Sequence, residues 1–419
     1  MIGSITKIKR TLTEASLNVL SLVICQLLNY VIPVLLTPYL IKTIGIEKFG
    51  QLSILQMILF YMVMVVNYGF NLSGPIEIVK QKSLDNSVFF SDIINTKFLL
   101  MLCSSVLGLI IPICYGFTVS DSLYIFGSFF LYLLGIVFFP EWFFHGMQKL
   151  NYMVLFFIVW KALYCILILT FVKSPSDYLN VVFFDGIMIF VIGIISFVFV
   201  LFSFNMSYKI SSLEAIKLKI KTDRYLFSSN ILTILYTRGG FLLLGLSAPS
   251  ISVANFAIAE RYIFIVNGAL SMVNRISIPY LSLFRVQKTD SQYKVYVKYL
   301  IYSCLVVGIT LFVISFFLSD YISFWLSAGS NKDVSKLIKL LSISFITSSL
   351  CSFASSVLLI ENLSSKVSHI NIIGFVIGLV VVLPLIYLLD EYGLALGVVI
   401  NSIVLALICC YYLKSYKLL

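Results

Sequence analysis

Long apolar runs recur along the whole chain, and they constrain its fold more than any other feature. A helix needs about 20 apolar residues to cross a bilayer, and twelve runs of about that length can be counted. They cover residues 16–40, 50–70, 98–118, 122–144, 152–172, 181–204, 225–247, 252–282, 299–319, 337–360, 370–389 and 393–413. Of the 419 residues, 60% are hydrophobic and 11% are charged, which is too apolar for a water-soluble domain. The sequence therefore predicts an all-α integral membrane protein with twelve transmembrane helices.

Lysine and arginine are distributed unequally between the two sides of these predicted spans. With the N-terminus inside, the inside segments hold 19 of the 29 basic residues, the outside segments hold 6, and the remaining four lie within spans. Cytoplasmic loops of membrane proteins carry an excess of basic residues. We therefore expect both termini to be cytoplasmic, and the net charge of +11 to reflect topology and not nucleic-acid binding.

The connections between spans are too short for a folded domain outside the membrane. The longest polar connection runs roughly from Asn71 to Lys97, and the most basic one runs from Asn205 to Arg224. Because the basic connection separates six spans from six, we predict an N-terminal lobe of residues 1–207 and a C-terminal lobe of residues 208–419. Gly50 and Ala254 open the second helix of each lobe after a similar polar turn. Two such lobes related by a pseudo-two-fold axis are common in transporters.

The eighth predicted span carries polar residues along one face. At 100° per residue, five of them fall within about 100° of arc and form a stripe roughly 20 Å long. They are Glu260, Asn267, Ser271, Asn274 and Arg275. Arg261 points about 100° away from Glu260. Ionisable residues within a span usually face protein or water at a functional site, so this stripe predicts one wall of a cavity.

Three other spans contribute candidates for the same cavity. Arg238, in the segment LYTRGGFLLLG, lies near the predicted depth of Glu260 and could pair with it. Lys161 lies within the fifth span, and Gln26 and Asn29 share one face of the first. For the amides and Ser271, hydrogen bonding between packed helices is the alternative interpretation. Arg275, near the cytoplasmic end of its span, could instead extend to the interface.

Motifs of enzyme chemistry are missing from the sequence. It contains no P-loop, no nucleophile elbow and no G-x-G-x-x-G, and its eight cysteines form no C-x-x-C pair. We therefore predict no catalytic residues, no cofactor and no metal site.

Four stretches resemble those of a known family. They are LLTPYLIKTIGIEKFGQLSI, NYGFNLSGPIEIVK, FFPEWFFHGMQKLNYM and KSPSDYLNVVFFDG. With the twelve-span plan, they resemble the Wzx-type O-antigen flippases of the multidrug/oligosaccharidyl-lipid/polysaccharide exporter superfamily. The resemblance implies two six-helix lobes in a V that rock by alternating access in the bacterial inner membrane. It also implies a cationic central cavity and coupling to an ion gradient.

The same resemblance implies a substrate and partners. The substrate would be an oligosaccharide repeat unit linked to undecaprenyl pyrophosphate, moved from the cytoplasmic to the periplasmic leaflet, and the partners would include a polysaccharide polymerase or chain-length complex. Arg238, Arg261, Arg275 and Lys161 are the candidates for the cationic lining, since arginine binds phosphate oxygens bidentately. Glu260 would compensate their charge or carry a coupling proton. A multidrug exporter of the same superfamily, and a membrane O-antigen polymerase or glycosyltransferase, are the alternatives.

Overall fold

The computed structural model describes the backbone of residues 2–80, 86–287, 290–416 and 418. Side chains are described from Ser21 onward in these ranges, except at residues 22, 86, 229, 236, 272–276, 279, 280, 286, 287 and 290. Within the described part the regular structure is helical, and no strand occurs there. The predicted all-α class is confirmed.

Fifteen α-helices are present in the described chain, most of them long enough to cross a bilayer. In chain order they are α1 (Ile2–Ile44), α2 (Ile46–Asn67), α3 (Phe70–Lys80), α4 (Asn86–Cys114), α5 (Val119–Phe138), α6 (Glu141–Gly146), α7 (Leu150–Phe171), α8 (Tyr178–Ser203), α9 (Leu213–Ser247), α10 (Ser250–Gln287), α11 (Asp290–Leu326), α12 (Lys332–Leu341), α13 (Ser344–Ile360), α14 (Ser364–Ile377) and α15 (Leu383–Ser415). A 3-10 turn at Pro175–Asp177 precedes α8, and a π-helical segment at Gly378–Val382 joins α14 to α15.

The described residues contain ten helical stretches that are long and apolar enough to span a membrane. A bent pair within α9, Leu213–Leu235 and Thr237–Ser247, brings the number to 11, with an angle of 53° between its two parts. The chain is thus a multi-pass membrane protein, as predicted. The number twelve is not reached, because one continuous stretch, Ser364–Ser415, covers the last two predicted spans.

That last stretch reverses direction at Asp390, which has a left-handed φ of 46° and a ψ of −124°. Gly393 packs against the Leu385 backbone, and a Cβ atom added to Gly397 would lie 3.2 Å from Val382 Cα. In a straight helix, two residues 15 positions apart would be about 22 Å apart. The stretch is therefore a helical hairpin, consistent with the predicted spans 370–389 and 393–413, and the twelve-span count stays a prediction.

The described chain divides into two compact units. The first unit comprises Met1–Ile32 and Ile54–Ile231, and the second comprises Pro33–Ser53 and Leu232–Leu419. The second unit thus takes the end of α1 and the start of α2 from the N-terminal part of the chain. The predicted lobes, 1–207 and 208–419, stay a prediction about how the spans are grouped.

In the first unit, the predicted polar connection from Asn71 to Lys97 is mostly helical. It contains most of α3 and the start of α4, and Lys97 is 1% exposed. The Lys97 Nζ atom donates to the Ile136 carbonyl at 2.9 Å, in the last turn of α5. Carbonyl groups at a helix C-terminus lack partners within the helix and attract cations, so a lysine is stable here in the helical core.

In the second unit, the start of α2 packs directly on the start of α10. A Cβ atom added to Gly50 would overlap the Ser250 carbonyl and lie 3.3 Å from Ala254 N. Gly50 and Ala254, which the sequence places at corresponding turns of the two lobes, are therefore in contact. Only glycine allows the two backbones to approach so closely.

Candidate functional site

A cavity of about 560 Å³ lies within the second unit, between α9, α10, α13 and the C-terminal hairpin. Most of its wall is apolar, with side chains such as Phe256, Phe264 and Leu394. Its polar lining residues are Thr237, Arg238, Glu260, Asn267, Ser344, Ser348, Asn401 and Ser402. A few polar groups in an apolar concave wall are typical of a small-ligand site.

Arg238 enters this cavity from the bent part of α9. The bend lies between Leu235 and Thr237, just before Arg238. Gly240 follows, and a Cβ atom added there would lie 3.2 Å from the Val382 side chain, so glycine brings α9 close to the C-terminal hairpin. The Arg238 guanidinium lies 4.0 Å from the centre of the Phe264 ring, which stabilises its charge away from bulk water.

Glu260 lines the same cavity from α10. It lies within electrostatic range of both Arg238 and Arg261. The structure thus brings Arg238 and Glu260, predicted at similar depth, to one cavity. A cation and an anion in a mostly apolar wall interact far more strongly than they would in water.

The rest of the predicted stripe on α10 divides between cavity and packing. Asn267 lines the cavity and accepts a hydrogen bond from Ser348 Oγ at 2.8 Å. Ser271 Oγ donates to the Gly268 carbonyl at 2.8 Å, within its own helix, and Ser271 is not among the residues that line this cavity. The side chains of Asn274 and Arg275 lie outside the described residues.

Arg261, next to Glu260 in sequence, contacts the end of α1 and the start of α2. Its Nη1 atom donates to the Pro33 carbonyl at 3.2 Å and to Thr37 Oγ1. Its guanidinium lies 4.7 Å from the centre of the Phe49 ring. Arg261 is not among the lining residues of the cavity, because adjacent residues on a helix point in different directions.

Lys161 belongs to the first unit, where it is buried in contact with Asp185. Its Nζ atom lies 3.5 Å from Asp185 Oδ1 and 3.7 Å from the centre of the Trp160 ring. Trp160 Nε1 donates to the same carboxylate oxygen at 2.9 Å. Sequence reasoning missed Asp185, although a carboxylate in the apolar run VVFFDGIMIF was the signal that could have revealed it.

Gln26 and Asn29 lie on α1 in the first unit. Gln26 Nε2 donates to Tyr30 Oη at 3.5 Å, one helical turn away. Asn29 is exposed. Their assignment to a substrate cavity stays a prediction.

Asn401 is a cavity residue that sequence reasoning missed. It is 6% exposed, and its Nδ2 atom donates to the Gly374 carbonyl at 3.2 Å. Its Oδ1 atom is buried and has no hydrogen-bond partner among the described residues. The sequence feature that could have revealed it is an amide side chain within the last predicted span, 393–413. A buried acceptor without a partner is costly, so this oxygen is available to a ligand of the cavity.

The cavity offers three chemical functions side by side. The Arg238 guanidinium can bind an anionic oxygen, the Glu260 carboxyl can bind a proton or a cation, and the Asn401 carbonyl can accept a hydrogen bond. Among the described residues, no group of three or more His, Cys, Asp or Glu side chains is placed to hold a metal ion.

Comparisons with known proteins agree with this architecture. The chain is 26% identical over 414 residues to a Shigella dysenteriae protein named "Putative O-antigen transporter", covering 96% of this chain and 99% of the relative. It is 25% identical over 409 residues to an Escherichia coli (strain K12) protein of the same name, covering 96% and 97%. These names agree with the prediction of a transporter that is not an enzyme.

Two solved structures share the fold at low sequence identity. The lipid II flippase MurJ in an inward closed conformation superposes with a TM-score of 0.73 at 15% identity, covering 95% of this chain and 87% of MurJ. An inward-facing multidrug resistance MATE family transporter of the MOP superfamily superposes with a TM-score of 0.71 at 13% identity, covering 95% and 98%. The fold is therefore that of MOP superfamily transporters.

A family model described as "Polysaccharide biosynthesis protein" matches residues 16–285. This match covers more than half of the chain, including the bend of α9 and the part of α10 that carries Glu260. The chain belongs to the polysaccharide biosynthesis protein family.

Proposed function

We propose that this protein is a flippase that moves an oligosaccharide repeat unit, linked to undecaprenyl pyrophosphate, from the cytoplasmic to the periplasmic leaflet. Two relatives named as O-antigen transporters and the fold of the lipid II flippase MurJ support this proposal. The excess of lysine and arginine in the predicted inside segments supports cytoplasmic termini.

The observation that carries the proposal is the presence of Arg238 in the apolar cavity of the second unit. A pyrophosphate that leaves water needs compensating charge, and arginine can supply two parallel hydrogen bonds to its oxygens. A cavity of about 560 Å³ accommodates a charged group of small-ligand size. It is too small for a whole lipid-linked oligosaccharide, so it would bind only the charged part.

Transport in this proposal proceeds by alternating access and is coupled to an ion gradient. Glu260 and Asn401, whose Oδ1 atom has no hydrogen-bond partner among the described residues, line the same cavity. A carboxylate can bind a proton or a hard cation, and an amide oxygen can add to the coordination of a cation. Arg238 keeps the carboxylate charge compensated when the cavity holds no ion. A polysaccharide polymerase or chain-length complex would receive the translocated unit.

A multidrug exporter is the second candidate, and the superposition with a MATE family transporter supports it. An exporter of cationic drugs would bind its substrates at carboxylates. In the cavity of the second unit, Glu260 is accompanied by Arg238, and the guanidinium would repel such a drug. The cavity therefore favours an anionic substrate.

The experiment that tests the proposal is deletion of the gene followed by analysis of lipid-linked intermediates on each leaflet. A flippase defect leaves unpolymerised repeat units on the cytoplasmic leaflet, and plasmid-borne wild-type protein should remove them. Single units that reach the periplasmic leaflet would indicate a polymerase defect and contradict the proposal. Unchanged intermediates together with increased drug sensitivity would support the exporter instead.

Glu260→Gln tests the coupling part of the proposal in the same strain. This variant keeps the shape of the side chain and removes its charge and its exchangeable proton. We expect it to insert normally and fail to clear the intermediates. Full clearance by an inserted Glu260→Gln protein would exclude Glu260 from coupling and leave the flippase proposal intact.

A further inference from the structure

The segment Pro33–Ser53, called the docked hairpin below, belongs to a different unit from the rest of its two helices. It comprises the end of α1, the turn at Gly45 and the start of α2. The helices α1 and α2 otherwise belong to the first unit, so the chain passes between units at Pro33 and again after Ser53. A proline inside a helix removes one backbone hydrogen bond and is a usual place for a bend.

One side chain of α10 makes three contacts with the docked hairpin. Arg261 Nη1 donates to the Pro33 carbonyl and to the Thr37 hydroxyl, and the guanidinium lies over the Phe49 ring. The Thr37 hydroxyl in turn donates to the Pro33 carbonyl at 2.7 Å. Thr37 and Phe49 are both fully buried. Arg261 therefore connects α10 to both helices of the docked hairpin. Its contact on α1 is at Pro33, the first residue of α1 that belongs to the second unit.

A second contact lies near the turn of the docked hairpin. Gly50 packs against the Ser250 backbone, and Ala254, 0% exposed, lies beside it. This contact is a close approach of two backbones. The contact of Arg261 is directional and charge-assisted, which gives it more geometric specificity.

We propose that Arg261 is a positioning residue that holds the docked hairpin against α10, and that it does not bind substrate. Its neighbour Glu260 lines the cavity. Adjacent residues of α10 therefore serve two sites, Glu260 the cavity and Arg261 the docked hairpin. Loss of the Arg261 contacts releases the hairpin from α10. The inference does not depend on which substrate is carried.

The test measures how often the docked hairpin opens. Ile44, 1% exposed at the end of α1, is replaced by cysteine, and the purified full-length protein is treated with a water-soluble maleimide. Peptide mass spectrometry reads the labelling of residue 44 alone, so the eight native cysteines do not interfere. Arg261→Gln should raise the labelling rate about tenfold, because local opening follows the loss of the contacts that oppose it.

Matched variants separate positioning from general loosening. Arg285→Gln removes an arginine from the same helix and breaks its ion pair with Glu361, 2.8 Å long, yet leaves the hairpin contacts intact, so residue 44 should label as in the parent. Arg261→Lys should restore part of the protection, since it keeps the charge. Thr37→Val should raise the rate, and the double variant Arg261→Gln/Thr37→Val should label no faster than Arg261→Gln.

Two results would overturn the inference. One is a folded Arg261→Gln protein that labels at the parental rate; the other is an Arg285→Gln protein that labels as fast as Arg261→Gln. If Arg261→Gln does not yield folded protein, Thr37→Val decides, because it keeps the arginine and removes one acceptor. Parental labelling in Thr37→Val would then contradict the inference. Since no substrate is present, failure here is distinct from failure of the flippase proposal.

Discussion

Arg238 and Lys161 present the same pattern in the sequence, a basic residue within an apolar span, but their surroundings differ. Lys161, in the first unit, lies 3.5 Å from Asp185 and 3.7 Å from the Trp160 ring. Arg238, in the second unit, lies over Phe264 and lines a cavity of about 560 Å³ that also contains Glu260. One cation is packed into a compact ion pair, whereas the other borders open volume.

This difference separates two uses of an intramembrane charge. The Lys161–Asp185 pair has the geometry of a structural element, since Trp160 donates to the same carboxylate and fixes its orientation. The pairing offsets part of the cost of burying the Lys161 charge. Arg238 and Glu260 both line a cavity, and open volume is a requirement for ligand binding. We therefore expect stability to depend mainly on the first pair and transport mainly on the second.

The largest effect is expected when the ion pair of the first unit is broken. Asp185→Leu leaves the Lys161 ammonium buried without its carboxylate, which should destabilise the protein by about 3–5 kcal/mol. Thermal unfolding of the detergent-solubilised protein measures this loss. The double variant Lys161→Met/Asp185→Leu is the control, because removal of both charges should recover most of the stability. Equal stability of Asp185→Leu and wild type would remove the contrast between the two units.

The next largest effect is expected on transport, when the Arg238 side chain is removed from the cavity. Arg238→Ala should insert normally and reduce restoration of surface polysaccharide in a flippase-deficient strain by about tenfold or more. Hydrogen bonds to charged groups are worth about 1.5–3 kcal/mol, which corresponds to that range. Arg224→Ala, on the exposed part of the same helix, is the matched control and should restore polysaccharide fully. Equal restoration by both variants would contradict a binding function for Arg238.

The smallest effect concerns the hydrogen bond that joins α13 to α10 at the cavity. Ser348→Ala removes the donor to Asn267 Oδ1 and should lower stability by about 1 kcal/mol. Ser356→Ala, at a half-buried position on the same helix whose hydroxyl donates to the Ser352 carbonyl within that helix, should change stability by less than about 0.5 kcal/mol. If Ser348→Ala lowers stability no more than Ser356→Ala does, the hydrogen bond to Asn267 contributes nothing measurable and packing alone holds Asn267.

The helical periodicity of the sequence predicted which face of α10 borders the cavity. It did not predict which unit each candidate site residue belongs to. Glu260 and Asn267 share that face because their angular separation on a helix follows from their spacing. Arg261 was predicted to flank the stripe, and its contacts with Pro33 and Thr37 explain its direction. No local pattern could predict these contacts, because they join residues more than 220 positions apart.

Lys97 and Asp185 are two charged residues whose surroundings could not be predicted from their local sequence. Lys97 lies in the predicted polar connection, but it is buried where α5 ends and donates a hydrogen bond to the Ile136 carbonyl. Asp185 was one carboxylate in an apolar run until the fold placed it beside Lys161. Both assignments required knowledge of the partner, which lies on another helix.

The amino-acid sequence by itself determined the class of this protein, a multi-pass helical membrane protein, because apolar runs of bilayer length have no other stable environment. It also indicated the transporter family, through four motifs in the N-terminal half of the chain together with the pattern of spans, and identified the charged residues in the spans. Only the tertiary structure decided which of those charges line a cavity, which form an ion pair and which hold the docked hairpin. The physical reason is that the energy of a buried charge depends on the groups around it, and folding brings those groups from distant parts of the chain.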